Sequence, residues 1–199
     1  GRKVGTPAPT PPPTFFPAKP LGCYGDGGAI LTDDADLVAT LKSLRVHGQG
    51  TDKYDNVRVG VNSRLDTIQA AILMCKLDIF AGQIGARQTV AARYGEALAN
   101  RVITPTVPGD AVSVWAQYTV RLPHGRRDEV AAKLKAAGIP TAIYYPKPLH
   151  QQTAYRHFPA AGSLAVSQRL SGEVLSLPMH PYLESAVQER IVTAIVDAT

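Results

Sequence analysis

Between Ser63 and Leu98 the apolar residues keep helical spacing for longer than an average helix runs, and this narrows the possible folds more than any other feature. Leu65, Ile68, Ile72, Cys75 and Ile79 step by 3, 4, 3 and 4 residues, the repeat of one helix face. Ser63 or Asp66 is placed to open the helix. Gly82 or Gly85 is expected to bend it, after which Ile84, Ala91, Tyr94 and Leu98 resume the stripe. Ala70, Ala71 and Met74 widen the apolar face, so two readings stay open: a helix packed on the core, or a subunit interface.

The flanking segments are shorter and more mixed. Residues 6–14 read TPAPTPPPT, five prolines in nine positions, which makes residues 1–13 an extended leader rather than a central strand. Thr14 to Phe16 is a short β-type run stopped by Pro17. Gly25-Asp26-Gly27-Gly28 signals a turn, and Ala29 to Thr32 a short apolar strand. Asp33 or Asp34 is placed to cap a helix over 35–44, with Leu37, Leu41 and Leu44 on one face. Residues 45–63 form a polar loop much longer than ordinary connections, a length often tied to function. After a Pro/Gly-bearing linker at 101–112 the chain alternates strand 114–122, helix 127–137, strand 139–145, loop 146–162, helix 163–173, strand 174–177 and helix 184–198. Gly138 stands where a helix-ending glycine belongs. The last helix carries the stripe Val187, Ile191, Ala194, Ile195 and Ala198. Such alternation predicts an α/β or α+β lobe.

Charge and cysteine content exclude several classes. Lys and Arg number 21 against 16 Asp and Glu, a net charge of +5 that favours anionic partners. The basic residues are scattered and often paired, as in Arg126-Arg127 beside Asp128-Glu129, so no nucleic-acid-binding block stands out. A phosphate-bearing small molecule accounts for the charge equally well. Cys23 and Cys75 show neither a disulfide framework nor a metal-ligand spacing, and His150 and His157 lack a metal spacing too; no metal is expected, and a reducing, cytoplasmic setting fits. Cys75 and Trp115 are expected in the core. No uninterrupted apolar run approaches the ~20 residues that span a bilayer, and no secretory signal is visible at the N-terminus; no membrane partner is expected.

Lys19 is the one residue that invites covalent chemistry. It follows the apolar, proline-stiffened Phe15-Phe16-Pro17 and precedes a glycine turn. A lysine in apolar surroundings can act as a neutral amine and form a Schiff base with an aldehyde. On residue type alone a solvated surface lysine explains it as well.

The segment around it, FFPAKPLGCYGDGGAILTDD, resembles the lysine segment of the DegT/DnrJ/EryC1/StrS family of sugar aminotransferases. LRVHGQG, VGVNSRLDTIQAAIL, GIPTAIYYPKPLHQQTAY and VLSLPMHPYL are similar to later family segments, in the same order, so the resemblance covers 14–198. Its flavour is that of enzymes aminating UDP-linked 3-oxo sugar acids for surface polysaccharide. The resemblance implies pyridoxal 5'-phosphate (PLP) as cofactor, a nucleotide-linked keto-sugar as acceptor, an amino acid such as glutamate as donor, and a homodimer with shared active sites.

Roles follow residue by residue from that resemblance. Lys19 aligns with the Schiff-base lysine that shuttles the proton between C4′ and Cα. Thr14 falls where the family has a hydroxyl on the PLP phosphate, and Asn62 where an asparagine reaches the phosphate of the neighbouring subunit's cofactor. Arg64 is a candidate anchor for a substrate carboxylate, with pairing to Asp66 as the plain alternative. Tyr144 replaces the common His of an HYP-type segment and, with Tyr145, is a candidate for the sugar pocket. If 139–145 is a regular strand, the two rings face opposite sides, and one of them is packing.

The implied fold is α/β, the C-terminal part of a PLP-dependent transferase of the aspartate-aminotransferase type (fold type I). Residues 1–13 are then a Pro-rich leader, 14–109 a remnant of the PLP-binding large domain, and 110–199 a small α+β domain. Family members are roughly twice this length. Their glycine-rich phosphate turn, cofactor-stacking ring and pyridine-pairing carboxylate lie in the N-terminal half and have no counterpart here. The alternative expectation is therefore a catalytically inactive truncated fragment or an interaction partner.

Overall fold

The computed structural model describes residues 13–199, so all of the leader but Pro13 lies outside the described residues. The chain divides into two compact units between Ala81 and Gly82. In the first, helix α1 (Ala35–Leu44) starts where Asp34 accepts a hydrogen bond from the Leu37 amide at 2.9 Å. Of the two caps expected, Asp34 is the one used. Helix α2 (Thr67–Leu98) opens with the Ala70 amide donating to the Asp66 carbonyl, which makes Asp66 rather than Ser63 the residue at its start. It runs unbroken through Gly82 and Gly85, so neither glycine ends a segment of it.

Two strand expectations fail in this unit. Thr14–Phe16 and Ala29–Thr32 reduce to one antiparallel bridge, Thr14 with Gly28. Pro13 and Pro17 bring no amide hydrogens to a ladder, and Ile30 and Leu31 remain 56% exposed. The stripe at the start of α2 behaves differently from a core face. Leu73 is buried, but Ile68 (74% exposed), Ile79 (51%) and Cys75 are not, and Met74 and Leu77 lie open as well. The core placement expected for Cys75 is therefore wrong; the buried cysteine is Cys23. With its ladder continuous, α2 is long and apolar enough, by length and composition, to cross a membrane. That corrects the expectation from uninterrupted runs, which Lys76 and Asp78 had cut short. The same two charges, in mid-stretch, disfavour burial in lipid.

The second unit is built on a two-stranded antiparallel sheet. Strand β1 (Tyr118–Arg121) pairs with β2 (Val174–Leu177), Tyr118 opposite Leu177. Around it pack the end of α2, helix α3 (Arg127–Ala136) and helix α5 (Ser185–Ala198), while the short helix α4 (Ala165–Ser171) buries no residue. The core is made by Tyr94 and Leu98 from α2, Val120, Leu134, Leu175 and Ile195. Tyr94 donates its hydroxyl to the Pro178 carbonyl at 3.0 Å, and its ring lies 5.0 Å from that of Tyr118. Gln188 of α5 donates to the Val90 carbonyl at 2.8 Å inside this core. Gly138 ends α3 with φ +72°, as expected. In the α5 stripe Val187 is the exception, 46% exposed.

Here too strands are shorter than the sequence suggested. The run 114–122 becomes a strand only at Tyr118, because Trp115 adopts φ +48°, a left-handed conformation no strand continues through. Arg87 holds it there, donating to the Trp115 carbonyl at 2.9 Å, while the indole nitrogen donates to Gln88 at 2.8 Å. The expected strand 139–145 contributes one bridge, Ala142 with Ser176, between Pro140 and Pro146. Trp115 packs at the margin of the core.

Two outcomes are expected. Hydrogen exchange should be slower in β1, β2, α3 and α5 than in residues 13–60, where exposed backbone prevails. Burial, with a smaller effect of Tyr118, pushes the Tyr94 phenol above its ordinary value, and burial pushes Tyr118 up to about 12. Folded values above the unfolded one mean that this stability is complete below pH ~10 and lost as pH rises through the folded values. Alkaline titration followed by tyrosinate absorbance should show two late groups that ionise together with unfolding. Tyr94→Phe should remove one of them and lower stability by about 1 kcal/mol, the scale of one hydrogen bond.

Candidate active site

Lys19 sits at the tip of a closed loop. Phe16-Pro17-Ala18-Lys19 is a turn with proline at its second position, closed by the Lys19 amide donating to the Phe16 carbonyl at 2.8 Å. Gly22 brings the chain back across it: a Cβ there would stand 2.6 Å from the carbonyl oxygens of both Phe16 and Pro17. Cys23, fully buried, locks the base. Its amide donates to the Phe15 carbonyl at 2.8 Å, and its thiol to the Phe15 and Gly25 carbonyls at 3.0 Å. The Lys19 side chain itself is exposed, so the apolar run before it shapes the loop and does not bury the amine.

Thr14 stands at the foot of the same loop, its Oγ1 accepting a long 3.4 Å hydrogen bond from the Phe16 amide. The donor set fits an aldehyde-bearing phosphate: an accessible primary amine, and a hydroxyl whose hydrogen is free to turn outward. Lys19 would hold the aldehyde end of such a group and Thr14 its phosphate.

Asn62 and Arg64 belong to the second long loop, also in the first unit. This loop is folded on itself by a bridge between Val46 and Asn62, with the His47 amide donating to Val61 at 3.0 Å and the Ser63 amide to Arg45 at 2.9 Å. Gly48 (φ +77°) and Gly60 make the crossing possible, since a Cβ on Gly60 would come within 2.1 Å of the Gly48 nitrogen. Ser43 secures it from α1 by donating to the Gln49 carbonyl at 2.6 Å. Asn62 and Arg64 are both exposed, and Arg64 forms no ion pair with Asp66.

Tyr144 and Tyr145 lie in the second unit, 42% and 70% exposed, their rings edge-to-face at 5.5 Å. Without a regular strand at 139–145 the opposite-face expectation lapses, and neither ring is core packing. Two residues that sequence reasoning passed over hold the lysine loop from α2. Gln69 accepts from the Tyr24 amide at 2.7 Å, and Lys76 donates to the Gly22 carbonyl with its ammonium 4.6 Å from the centre of the Tyr24 ring. Their spacing of seven residues on one helix is the signal that was available, but nothing in the sequence names the loop they face.

Comparison with known proteins gives a family and relatives of about twice the length. Residues 1–196 match the family model described as the DegT/DnrJ/EryC1/StrS aminotransferase family. A UDP-2-acetamido-2-deoxy-3-oxo-D-glucuronate aminotransferase of Pseudomonas aeruginosa is 50% identical over 92% of this chain and 50% of its own length. The crystal structure of a DegT DnrJ EryC1 StrS aminotransferase from Brucella abortus shares 54% identity, with a TM-score of 0.86 over 92% of this chain and 48% of that one. The structure of ntda from Bacillus subtilis, with bound cofactor PMP, superposes at TM-score 0.83 and 26% identity over 93% of this chain and 44% of that one. The chain thus spans about half the length of the relatives it matches.

Gly60→Ala should unseat the second loop, because its Cβ meets backbone on the facing strand of the loop rather than a side chain that could yield. The expected cost is about 1–3 kcal/mol, the range of overpacking. Faster hydrogen exchange over 44–63, with 114–198 unchanged, is the readout.

Proposed function

The chain belongs to the DegT/DnrJ/EryC1/StrS aminotransferase family, and on that premise we propose that it carries the lysine-bearing part of a nucleotide-sugar aminotransferase active site. Its fold is the C-terminal part of the fold type I, PLP-dependent transferases, an α/β architecture. Enzymes of the family are transaminases that use PLP. The observation that carries the reading is the exposed Lys19 amine on a loop closed by its own backbone, with the Thr14 hydroxyl at the foot. When bound, PLP supplies an aldehyde for amine exchange and a ring that accepts electrons from the substrate Cα.

In this reading Lys19 Nζ would hold the cofactor at its aldehyde carbon; displaced there by the donor's amine, the freed Lys19 amine would take the proton from the donor's Cα and deliver it to that former aldehyde carbon. Thr14 Oγ1 and the Asn62 side chain bind phosphate oxygens, Asn62 those of a neighbouring subunit. Arg64, unpaired with Asp66, binds a carboxylate through two parallel N–H groups. Tyr144 and Tyr145 offer ring faces and hydroxyls to a sugar. The amino donor is an amino acid such as glutamate; the acceptor is a UDP-linked 3-oxo sugar acid, which the Pseudomonas aeruginosa relative's name supports. A homodimer with shared sites is supported by the exposed apolar residues of α2, Ile68, Met74, Leu77 and Ile79. We further propose a cytoplasmic setting, and a division of the chain at about residue 110 into large-domain and small-domain portions.

The test is turnover, measured as ketoacid released from glutamate in the presence of a UDP-3-oxo-sugar acid. The 199-residue chain is assayed alone and joined to the N-terminal half of the Pseudomonas aeruginosa relative. Positioning alone contributes ~7–11 kcal/mol to such reactions, so the chain by itself should show none. The joined protein should turn over, and Lys19→Arg should abolish turnover without changing the circular dichroism spectrum. Turnover that persists in Lys19→Arg would remove Lys19 from the chemistry. Turnover by the 199 residues alone would show that the N-terminal half is dispensable.

A further inference from the structure

We propose that Lys76 and Gln69 of α2 are positioning residues that set the lysine loop, and through it the place of the Lys19 amine; the proposal rests on the reading of Lys19 as the cofactor-binding lysine. The loop 14–28 is closed at its foot by the Cys23 and Phe15 bonds and at its tip by the turn at Phe16–Lys19. Neither closure fixes the loop against the rest of its unit. Three contacts from α2 do so.

The Tyr24 amide donates to Gln69 Oε1 at 2.7 Å, and Lys76 Nζ donates to the Gly22 carbonyl. The Lys76 ammonium also sits 4.6 Å from the centre of the Tyr24 ring. Gly22 is the point of least freedom in the loop, pressed against the Phe16 and Pro17 carbonyls of the turn that ends in Lys19. Holding Gly22 therefore holds that turn. A charged donor on a carbonyl is stronger than a neutral one, and the ring adds a cation–π contact that only a cation at that place can make. Gly25 completes the fit, since a Cβ there would lie 3.1 Å from Gln69 Nε2. The residues α2 offers to the loop are thus an acceptor and a cation about two turns apart on one helix face, each matched to a backbone group of opposite character.

Two readouts on the 199-residue chain test this. The first, without cofactor, is hydrogen exchange over residues 22–25. Lys76→Met should speed it about tenfold, the scale of one charged hydrogen bond, and Lys76→Arg should not. The second is the share of borohydride-fixed PLP found on Lys19 relative to the other lysines, by peptide mapping. Lys76→Met and Gln69→Leu should lower that share several-fold, and Lys76→Arg should restore it, with unchanged circular dichroism. Tyr24→Leu, which leaves the helix untouched and removes only the cation–π contact, should move both readouts in the same direction by a smaller factor, and serves should either helix variant fail to fold. A wild-type chain with no preference for Lys19 would sink the cofactor-lysine reading. A wild-type preference that Lys76→Met leaves intact would overturn the positioning role alone, as would a loosened loop with unaltered labelling of Lys19.

Discussion

The structure depends on how α2 distributes its apolar residues. Toward its end, Val90, Ala91, Tyr94 and Leu98 go into the core of the second unit, where Tyr94 anchors Pro178 and Gln188 of α5 ties to the Val90 carbonyl. In its first part Gln69 and Lys76 bind the lysine loop and Leu73 is buried, while Ile68, Met74, Leu77 and Ile79 stay more than half exposed. Covering those four would contribute about 5 kcal/mol at ordinary transfer values. Ile68 and Ile79 share one side of the helix, with Met74 and Leu77 on the other side, so the exposed apolar residues flank the strip that meets the lysine loop.

Close backbone approach governs both loops that carry the candidate residues. Gly22 lets the chain pass over the Phe16 and Pro17 carbonyls, and Gly48 and Gly60 let two arms of the second loop cross. In each case the candidate residue is a few positions from the glycine and exposed; Gly22 and Gly48 are buried, while Val59 and Val61 beside Gly60 lie open. The lysine loop gains a further constraint from Cys23, whose thiol occupies two carbonyls at once. Precision at an exposed amine is obtained from backbone bonds rather than from burial of the amine.

The helices were legible in the sequence; of the strands, 174–177 was read at its observed bounds, 114–122 too long, and the others were not strands. Helix ends follow from local signals: Asp34 before 35, Gly138 after α3, the alternation of apolar residues through α5. A strand depends on what lies beside it. Val174–Leu177 became one because Tyr118–Arg121 pairs with it, whereas Ala29–Thr32, as apolar and as β-prone, has no partner strand among the described residues. Trp115 shows a second limit, since its left-handed backbone depends on Arg87 and Gln88, nearly thirty residues earlier. For the candidate site, Lys19, Thr14 and Asn62 are named only by resemblance to ordered family segments, while Gln69 and Lys76 emerge only from contacts made 45 and 54 residues away.

The exposure of Ile68 and Ile79 bears on the two readings left open for α2. A core-facing helix would bury Ile68 and Ile79 within the chain, and 74% and 51% exposure contradict that. A membrane span would have to take Lys76 and Asp78 into lipid, yet the Lys76 ammonium is already engaged with Gly22 and the Tyr24 ring. The proposed reading is a protein surface over these residues, from a second copy or from the part of the family fold that this chain does not span. Either partner would cover α2 on the helix that holds the lysine loop. Burial of these residues would then also restrain the loop carrying Lys19, linking assembly to the placement of the amine through Gln69 and Lys76.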